Sequence, residues 1–309
     1  MIGLLFSGQG AQKTGLTQDM YDFLPNYRKT IDTAATKLNL DLPALLFDES
    51  KQTELAQTKY AQPAIMTISY GIYQILQENI AFTKFGLGLS LGEYSALAAS
   101  NYLTFESALH LIKKRGELMQ IVSEQTPSAM IAVMKSSQSD VQTIIEQVKC
   151  YGQISIANIN LPNQIVVGGE MAAVNVAQEH LIAKGMHVIP LKVSGAFHTP
   201  LMQPVQAELQ EKLSKVAWRQ GQFPVYSTTT QKVFTPSNLT SNLTNQLVST
   251  TYFAKTLSEH TENLHAVVEI GPGRTLISFA RKMIAGIKTY RTDSLDELQK
   301  TVSALEKID

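Results

Sequence analysis

The chain has 309 residues, of which 44% are hydrophobic and 17% charged, a composition typical of a globular protein with a sizeable core. Its 26 basic and 26 acidic residues give a formal net charge of zero, which argues against a nucleic-acid-binding protein. The only cysteine, Cys150, excludes an internal disulfide and indicates a reducing compartment, so we expect a cytoplasmic location. The N-terminus lacks a basic segment and no stretch approaches about 18 apolar residues, so we expect neither a signal peptide nor a membrane span.

The first elements in chain order are a strand, a glycine-rich loop and two helices. The apolar run "IGLLF" at 2–6 predicts a buried strand, and "SGQG" after it predicts a tight loop. Helical patterns follow near 19–38 and 62–79, and Pro63 suits the first position of the second helix.

A second strand and two more helices come next. "FTKFGLGL" at 82–89 predicts the strand, and "SLGEYSALAAS" predicts a helix directly after it. Thr104 is the predicted N-cap of a long helix that reaches about Ser123. Strand, tight turn and helix in this order are the context that a nucleophile elbow requires.

The middle of the chain predicts a small subdomain of the ferredoxin-like type. Its elements are a strand at 128–134, a helix at 137–149, strands at 153–161 and 164–169, a helix at 170–185 and a strand at 187–193. This β-α-β-β-α-β order is the ferredoxin-like unit. We therefore predict a subdomain at 127–195 that is inserted into a larger α/β domain made of 1–126 and 196–309.

The C-terminal third returns to the larger domain. "FPVYSTT" at 223–229 predicts a strand. "AVVEIGPG" at 266–273 predicts another strand, which Gly-Pro-Gly ends, and "RTLISFARKMI" after it predicts a helix.

Ser90 lies in "GLSLGEYSAL", which contains the pattern G-x-S-x-G. In a nucleophile elbow, the glycines permit a strained turn that exposes the serine oxygen, and the next backbone N–H faces the developing oxyanion. The same residues also fit an ordinary serine that caps a helix. The pentapeptide leaves both interpretations open.

A serine nucleophile needs a base, and the chain has six histidines. His198 is the preferred candidate, because "SGAFHTP" predicts a loop after a strand, and catalytic groups concentrate on such loops. A solvated side chain remains the alternative for any loop histidine.

Two further features suggest contacts with a ligand. The loop "GQGAQ" at 8–12 allows close backbone approach, but it lacks the residues of a phosphate loop or a dinucleotide fingerprint. Gly116 interrupts a good helical pattern, so we expect another group to approach the helix closely at this point. The adjacent Arg115 could bind a carboxylate through two hydrogen bonds. A solvated "KKR" run is the alternative. The sequence carries no metal-binding signature.

Taken together, these stretches resemble the malonyl-CoA:acyl-carrier-protein transacylase family, the acyltransferases of fatty-acid and polyketide synthesis. The similar segments occur in the family's order and span nearly the whole chain. They are "FSGQGAQ", "YAQPAI", "GLSLGEYSAL", "RGELMQ", "IANINLPNQIVVGG", "VSGAFHTPLM", "QLVSTTYFAKTL" and "EIGPGRTL". The resemblance implies an α/β-hydrolase-like large domain with a parallel sheet and an inserted ferredoxin-like small domain.

The resemblance also implies roles for individual residues. Ser90 would be the nucleophile and His198 its base. Gln246 would orient His198 through its backbone carbonyl, in place of the usual acid. Gln9 and the backbone N–H of Leu91 would form the oxyanion hole.

Arg115 would bind the free carboxylate of malonyl. Phe197 follows the malonyl-type pattern, so we expect malonyl rather than methyl-branched substrates. The chain departs from the family at three places. Leu89 replaces the common histidine before the serine, Ser7 replaces a proline and should loosen its loop, and 249–253, just after Gln246, lacks the usual Pro and Trp.

The implied reaction transfers malonyl from malonyl-CoA to the phosphopantetheine thiol of acyl carrier protein through a malonyl-serine. It would need no metal and no resident cofactor, since malonyl-CoA is a substrate and the partner carries the phosphopantetheine. We expect a monomer without nucleic-acid or membrane partners. A basic surface around Lys113–Lys114 or Arg281–Lys282 would dock the acidic carrier protein.

Two other functions compete with this one. A serine esterase or thioesterase with an acid-containing triad would use a late histidine, His260 or His265, as its base. A scaffold or carrier-binding module with an inactive site is the non-enzymatic alternative.

Overall fold

The computed structural model describes residues 1–10, 12–78 and 84–307, which form a mixed α/β fold with two sheets. The predicted fold class is confirmed. The strands are β1 Ile2–Phe6, β2 Lys84–Gly88, β3 Ser128–Met134, β4 Ile154–Leu161, β5 Gln164–Glu170, β6 His187–Pro190, β7 Val225–Tyr226, β8 Ala266–Ile270 and β9 Lys288–Tyr290.

Helices cover both sheets. They are α1 Gln18–Phe23, α2 Pro25–Leu38, α3 Leu42–Phe47, α4 Gln52–Leu55, α5 Thr58–Gln77, α6 Leu91–Ala99, α7 Phe105–Gln125, α8 Gln138–Val148, α9 Met171–Ala183, α10 Gln206–Ser214, α11 Leu239–Gln246, α12 Phe253–Ser258, α13 Thr275–Met283 and α14 Leu295–Leu305. In the described ranges, no helix has the length and apolar character that a membrane crossing requires.

The larger sheet has the strand order β7-β2-β1-β8-β9, and every neighbouring pair is parallel. Phe6 at the end of β1 aligns with Gly88 at the end of β2 and with Ile270 at the end of β8. The loops that follow these three strands therefore emerge together at one edge of the sheet. This edge is where open α/β sheets bind their ligands.

The smaller sheet has the antiparallel order β4-β5-β3-β6, which is the ferredoxin-like order. One of its faces packs with α8 and α9 in a core of its own. The other face contributes Met130, Ala132 and Val166 to the core of the large sheet. The predicted succession of strands and helices is thus confirmed, whereas the exact subdomain limits at 127–195 stay a prediction.

The predicted start of the helix at 62–79 is wrong, because α5 begins at Thr58 and contains Pro63 in its interior. Proline has no N–H to offer the carbonyl of Lys59 one turn earlier. α7 packs closely against this same turn. A Cβ on Gly116 would lie 2.9 Å from Thr58 O and 3.4 Å from Lys59 O, so the glycine permits the close approach that its position in the sequence predicts.

Two other predicted elements also differ from the structure. The helical pattern at 19–38 is interrupted at Leu24, and α2 then restarts with Pro25 as its first residue. The strand predicted at 223–229 is only Val225–Tyr226, because the following residues turn back and Ser227 N–H donates to Lys232 O at 2.9 Å.

The elements around Ser90 agree more closely with prediction. The strand predicted at 82–89 is β2 from Lys84 onward, while 79–83, which also include the predicted end of the preceding helix, lie outside the described residues. The helix after it is α6. Thr104 caps α7 as predicted, since its Oγ1 accepts from Ser107 N–H at 3.1 Å.

Candidate active site

Ser90 occupies the sharp turn between β2 and α6, with φ 59° and ψ −107°. A positive φ is uncommon for any residue other than glycine, and it is typical of a nucleophile elbow. Ser90 is the N-cap residue of α6, yet its side chain makes no capping hydrogen bond. Its hydroxyl instead contacts a histidine and an arginine, so the interpretation as an ordinary helix cap is wrong.

The two glycines of the pentapeptide are required by close contacts in this turn. A Cβ on Gly88 would lie 2.0 Å from the carbonyl carbon of Gly92. A Cβ on Gly92 would lie 2.2 Å from Phe6 O at the end of β1. The pattern G-x-S-x-G therefore permits α6 to start directly against the sheet, which presents the Ser90 side chain at its edge.

His198 reaches Ser90 from a loop that is 108 residues further along the chain. Its Nε2 lies 2.8 Å from Ser90 Oγ, and its Nδ1 lies 2.8 Å from the backbone oxygen of Gln246. A carbonyl oxygen can only accept, so Nδ1 carries the proton of the neutral ring. Nε2 is then free to accept the proton of the serine hydroxyl.

The departure from the family at 249–253 does not disturb this contact. Thr251 ties the segment to β4, since its N–H donates to Ala157 O at 3.0 Å and its carbonyl accepts from Ile159 N–H at 2.7 Å. Asn158 Nδ2 also donates to Thr251 Oγ1 at 2.7 Å. These bonds fix the chain just beyond Gln246 without the proline and tryptophan that the family usually has there.

Arg115 projects from α7 into the same site and is 1% exposed. Its Nη2 donates to Ser90 Oγ at 3.1 Å and to Gln246 Oε1 at 3.0 Å, and its Nη1 donates to Gln62 Oε1 at 2.5 Å. Its guanidinium carbon lies 5.1 Å from the centre of the Tyr94 ring. In the described part of the chain, no Asp or Glu forms an ion pair with this buried cation. The interpretation of Arg115 as part of a solvated basic run is therefore wrong.

A cavity of about 260 Å³ opens beside Ser90, between the edge of the large sheet and the smaller sheet. Gln9, Leu91, Arg115 and His198 all contribute to its wall. The remaining lining is mostly apolar, with a few amide and hydroxyl side chains: Leu89, Met119, Met130, Ala132, Asn158, Asn160, Gln164, Val166, Leu191, Val193, Phe197, Thr275 and Phe279. The cavity thus combines a mostly apolar wall with the cation of Arg115, the hydroxyl of Ser90 and the imidazole of His198, which suits an anionic acyl group.

The loop after β1 holds Gln9 beside the cavity. A Cβ on Gly8 would lie 2.6 Å from Leu89 O, so the loop approaches the elbow closely. Gln9 Oε1 accepts from Thr58 Oγ1 at 2.8 Å, and Thr58 Oγ1 in turn accepts from Gln62 Nε2 at 2.9 Å. Through Gln62, these bonds join the loop to Arg115. Ala11, part of the predicted loop 8–12, lies outside the described residues.

Burial controls the charge state of the groups around Ser90. Burial, together with the smaller effect of the positive charge of Arg115, lowers the pKa of His198 to about 4, against the hydrogen bond to Gln246. The imidazole is therefore neutral near pH 7 and able to accept a proton. Burial also raises the pKa of Glu93 to about 7, although Thr228, Gln246 and Arg115 all favour its ionised form.

The other candidate bases lie away from the cavity. His260 stacks on Tyr226 with ring centres 3.6 Å apart, and His265 Nδ1 lies 3.3 Å from the N-terminal amine. Neither lines the cavity, so the structure does not bring them to Ser90. Within the described ranges, no cluster of three His, Cys, Asp or Glu side chains could hold a metal ion.

The basic pairs proposed for docking do not line the cavity either. Lys113 Nζ donates to Leu38 O at 2.8 Å, and Lys114 forms an ion pair with Glu208 at 2.7 Å. Arg281 Nε donates to Thr289 Oγ1 at 2.7 Å. Docking at either pair stays a prediction.

Ser7 does not loosen its loop, contrary to the expectation from the missing proline. Its N–H donates to Ile270 O at 3.1 Å, which extends the pairing of β1 with β8 by one residue. Its Oγ also donates to Glu269 Oε1 at 3.3 Å. A proline could make neither bond, so the serine ties the loop to the sheet.

The sequence interpretation missed two residues of this network. Glu93 Oε2 accepts from Gln246 Nε2 at 2.7 Å, and Gln62 connects Arg115 to Thr58. The signal for Glu93 was present, since it is a carboxylate in a helix of otherwise small and apolar residues, all of them buried. Gln62 is the fifth residue of α5 and lies in the segment "YAQPAI", but its position alone did not indicate a contact with Arg115.

Comparison with known proteins is consistent with this geometry. The family model described as "Acyl transferase domain" matches residues 4–303. A malonyl CoA-acyl carrier protein transacylase of Bacillus subtilis is 32% identical over 310 residues, which cover 99% of this chain and 98% of the relative.

Two solved structures are similar over their whole length. A malonyl CoA-acyl carrier protein transacylase from Clostridium perfringens has a TM-score of 0.93 at 32% identity, covering 99% of this chain and 98% of its own. A malonyl-transacylase in complex with its type II PKS acyl-carrier protein has a TM-score of 0.94 at 28% identity. The match covers 98% of this chain and 99% of that one.

Proposed function

The chain belongs to the acyl transferase domain family, and from that premise we propose that it transfers malonyl from malonyl-CoA to the phosphopantetheine thiol of acyl carrier protein. The single observation that carries the choice of malonyl is the unpaired cation beside the nucleophile. Arg115 is buried, donates to Ser90 Oγ at 3.1 Å and makes its hydrogen bonds to neutral partners. Glu93 lies one residue further away, beyond Gln246, so no carboxylate among the described residues contacts the guanidinium directly, and the carboxylate of malonyl could take that place.

In the first half-reaction, Ser90 Oγ attacks the thioester carbonyl while His198 Nε2 takes the hydroxyl proton. The 2.8 Å contact between these atoms supports direct transfer. The imidazolium then gives this proton to the departing CoA sulfur. The product is a malonyl ester on Ser90.

The oxyanion is held by the backbone N–H groups of Gln9 and Leu91. Leu91 is the first residue of α6, so its N–H has no partner within the helix. This N–H lies at the positive end of the helix dipole, which also favours a negative charge there. Each such donor typically contributes about 3 kcal/mol of transition-state stabilisation. The Gln9 side chain is engaged by Thr58, which holds the loop that carries the second N–H.

In the second half-reaction, the phosphopantetheine thiol of the carrier protein attacks the ester. His198 accepts the thiol proton and returns it to Ser90 Oγ as the ester C–O bond breaks. The cavity wall of Leu89, Met119 and Phe197 limits water near the ester, which favours transfer over hydrolysis. Ser90, His198 and the two N–H donors supply every step, so the proposal requires no resident cofactor.

Phe197 supports malonyl rather than a branched acyl group. It lies directly before His198, is 7% exposed and lines the cavity. A bulky ring there leaves less room for a methyl branch on the acyl group. We place the reaction in cytoplasmic fatty-acid biosynthesis with a monomeric enzyme, and the single cysteine supports this compartment.

The test is mass spectrometry of the acyl-enzyme. The protein is mixed with malonyl-CoA, quenched in acid and digested, and the peptide with Ser90 is expected to gain one malonyl group. Ser90→Ala should gain none, whereas Ser95→Ala, which removes a buried hydroxyl from the same helix, should be labelled. Parallel reactions with methylmalonyl-CoA and acetyl-CoA should label more slowly.

Each contrary result identifies a rival. An unlabelled Ser90 would favour the non-enzymatic scaffold. Labelled Ser90 that releases free malonate as fast in the absence of carrier protein as in its presence would favour a thioesterase.

A further inference from the structure

Glu93 is a buried carboxyl group that the mechanism described above does not use. It lies in the first turn of α6, three residues after the nucleophile, and is 0% exposed. Its Oε1 accepts from Thr228 N–H and Thr228 Oγ1, both at 2.6 Å. Its Oε2 accepts from Gln246 Nε2 at 2.7 Å. Only Gln246 therefore separates this carboxylate from His198.

Gln246 contacts all three residues of the proposed reaction, the side chains of His198 and Arg115 and the backbone of Ser90. Its backbone oxygen accepts from His198 Nδ1, and its Oε1 accepts from Arg115 Nη2 at 3.0 Å. Its Nε2 donates to Ser90 O at 3.1 Å as well as to Glu93. The residue is also 0% exposed, so no solvent can replace these partners.

The orientation of the Gln246 amide is determined by the charges on either side of it. A guanidinium can only donate, so the amide oxygen must face Arg115. An ionised carboxylate can only accept, so the amide nitrogen must face Glu93. A flipped amide would place two donors together at Arg115 and two acceptors together at Glu93.

The direction of the Gln246 backbone carbonyl also depends on the hydrogen bond between its side chain and Glu93. It is the last residue of α11, where carbonyl groups have no partner within the helix. Its carbonyl oxygen is therefore available to His198, but α11 alone does not fix its direction. The hydrogen bond from the side chain to Glu93 holds the residue at this end of the helix.

We propose that Glu93 is a positioning residue of the transfer reaction, whose carboxylate fixes Gln246 and thereby directs both His198 and Arg115. The inference rests on the proposed function, since it assigns these two groups to proton transfer and to recognition of the acyl carboxylate. The alternative is that Glu93 only balances the charge of Arg115.

Two substitutions separate positioning from charge balance. Glu93→Asp keeps the negative charge but is one methylene too short to bond both Thr228 and Gln246. Glu93→Gln keeps the length but turns an N–H toward one of its donor partners. Glu269→Gln is the matched control, because Glu269 is also a buried carboxyl with a pKa raised to about 7 by burial, and it bonds Ser7 and Ile277 instead of Gln246.

The experiment measures kcat and KM for malonyl-CoA and acetyl-CoA in each folded variant, with thermal unfolding as the check on folding. Both Glu93 variants are expected to lose about ten- to a hundredfold in kcat with either substrate, because His198 is misdirected. The ratio of malonyl to acetyl kcat/KM should fall as well, because Arg115 loses its orientation. Glu269→Gln should lower the unfolding temperature but leave this ratio unchanged.

Other outcomes overturn the inference. Wild-type kinetics in Glu93→Asp together with impaired Glu93→Gln would mean charge balance alone. Lower stability with unchanged kcat and an unchanged ratio in both variants would mean a merely structural role. If neither variant folds, Gln246→Leu decides, because it keeps the backbone carbonyl and removes the amide, and unchanged kcat and ratio would refute positioning.

The wild-type protein separates this inference from the proposed function. Failure of malonyl-CoA to label wild-type Ser90 would refute the function itself. Normal labelling of the wild type with wild-type kinetics in the Glu93 variants would refute only the inference.

Discussion

Arg115 Nη2 lies 3.1 Å from Ser90 Oγ, so a buried cation and the hydroxyl at the elbow are in direct contact. The same hydroxyl lies 2.8 Å from His198 Nε2. An acyl group attached to Ser90 would therefore start within one hydrogen-bond length of the guanidinium. A short acyl chain that ends in a carboxylate fits this spacing, because its anion can fold back onto Arg115.

Arg115→Ala is expected to lower kcat/KM for malonyl-CoA by about a hundredfold more than kcat/KM for acetyl-CoA, because only malonyl has a carboxylate to pair. The measurement is transfer to carrier protein from each thioester. Lys114→Ala removes a neighbouring charge of the same helix that pairs with Glu208, and it should leave the ratio unchanged. Equal losses with both substrates would contradict a role in carboxylate recognition.

His198→Ala is expected to lower malonyl transfer by about a thousandfold, because Ser90 loses its proton acceptor. His260→Ala should retain wild-type transfer, because His260 stacks on Tyr226 away from the cavity. Steady-state transfer rates of both variants decide which of the two histidines is the base. Activity that survives in the first variant and disappears in the second would instead identify an esterase-like triad with a late histidine.

The pKa of His198 should be low in the wild type, near 4, and higher in Arg115→Gln. Protonation of His198 places a second positive charge beside Arg115, so removal of the guanidinium makes the imidazolium less unfavourable and raises the pKa. Histidine NMR titration measures it, and His198→Asn assigns the signal. Trp218 fluorescence monitors folding during the acid titration. An unchanged or lower pKa in Arg115→Gln would show that this charge does not act on His198.

Ser7→Pro should lower the free energy of unfolding by about 2 kcal/mol, because the buried N–H bond to Ile270 O is lost. Ser7→Ala keeps that N–H and removes only the bond to Glu269, so it should cost about 1 kcal/mol. Urea unfolding at constant pH gives both values. A proline variant more stable than the alanine variant would show that the ladder bond contributes little.

Local patterns in the sequence predicted several elements well. The succession from β3 to β6 was predicted from alternating and helical apolar periodicity, because each element buries one face. The start of α5 was not predicted, because proline favours the first turn of a helix, whereas Pro63 is the sixth residue of α5.

The sequence by itself determined that a tight turn is possible at Ser90. Gly88, Ser90 and Gly92 lie within five residues, and the absent Cβ atoms of the two glycines allow the chain to turn sharply there. The residue type of Arg115 and its neighbouring glycine also predicted a buried contact at that helix.

Only the tertiary structure decided how these residues act together. Ser90, Arg115, His198 and Gln246 come from four separate segments, which meet because parallel strands end at one edge of the sheet and α7 packs against α5. The partner of Glu93 was likewise decided by the tertiary structure. A glutamate in a helix has many possible partners, and only its burial beside Gln246 selects one, since buried polar groups must bond to whatever the fold places next to them.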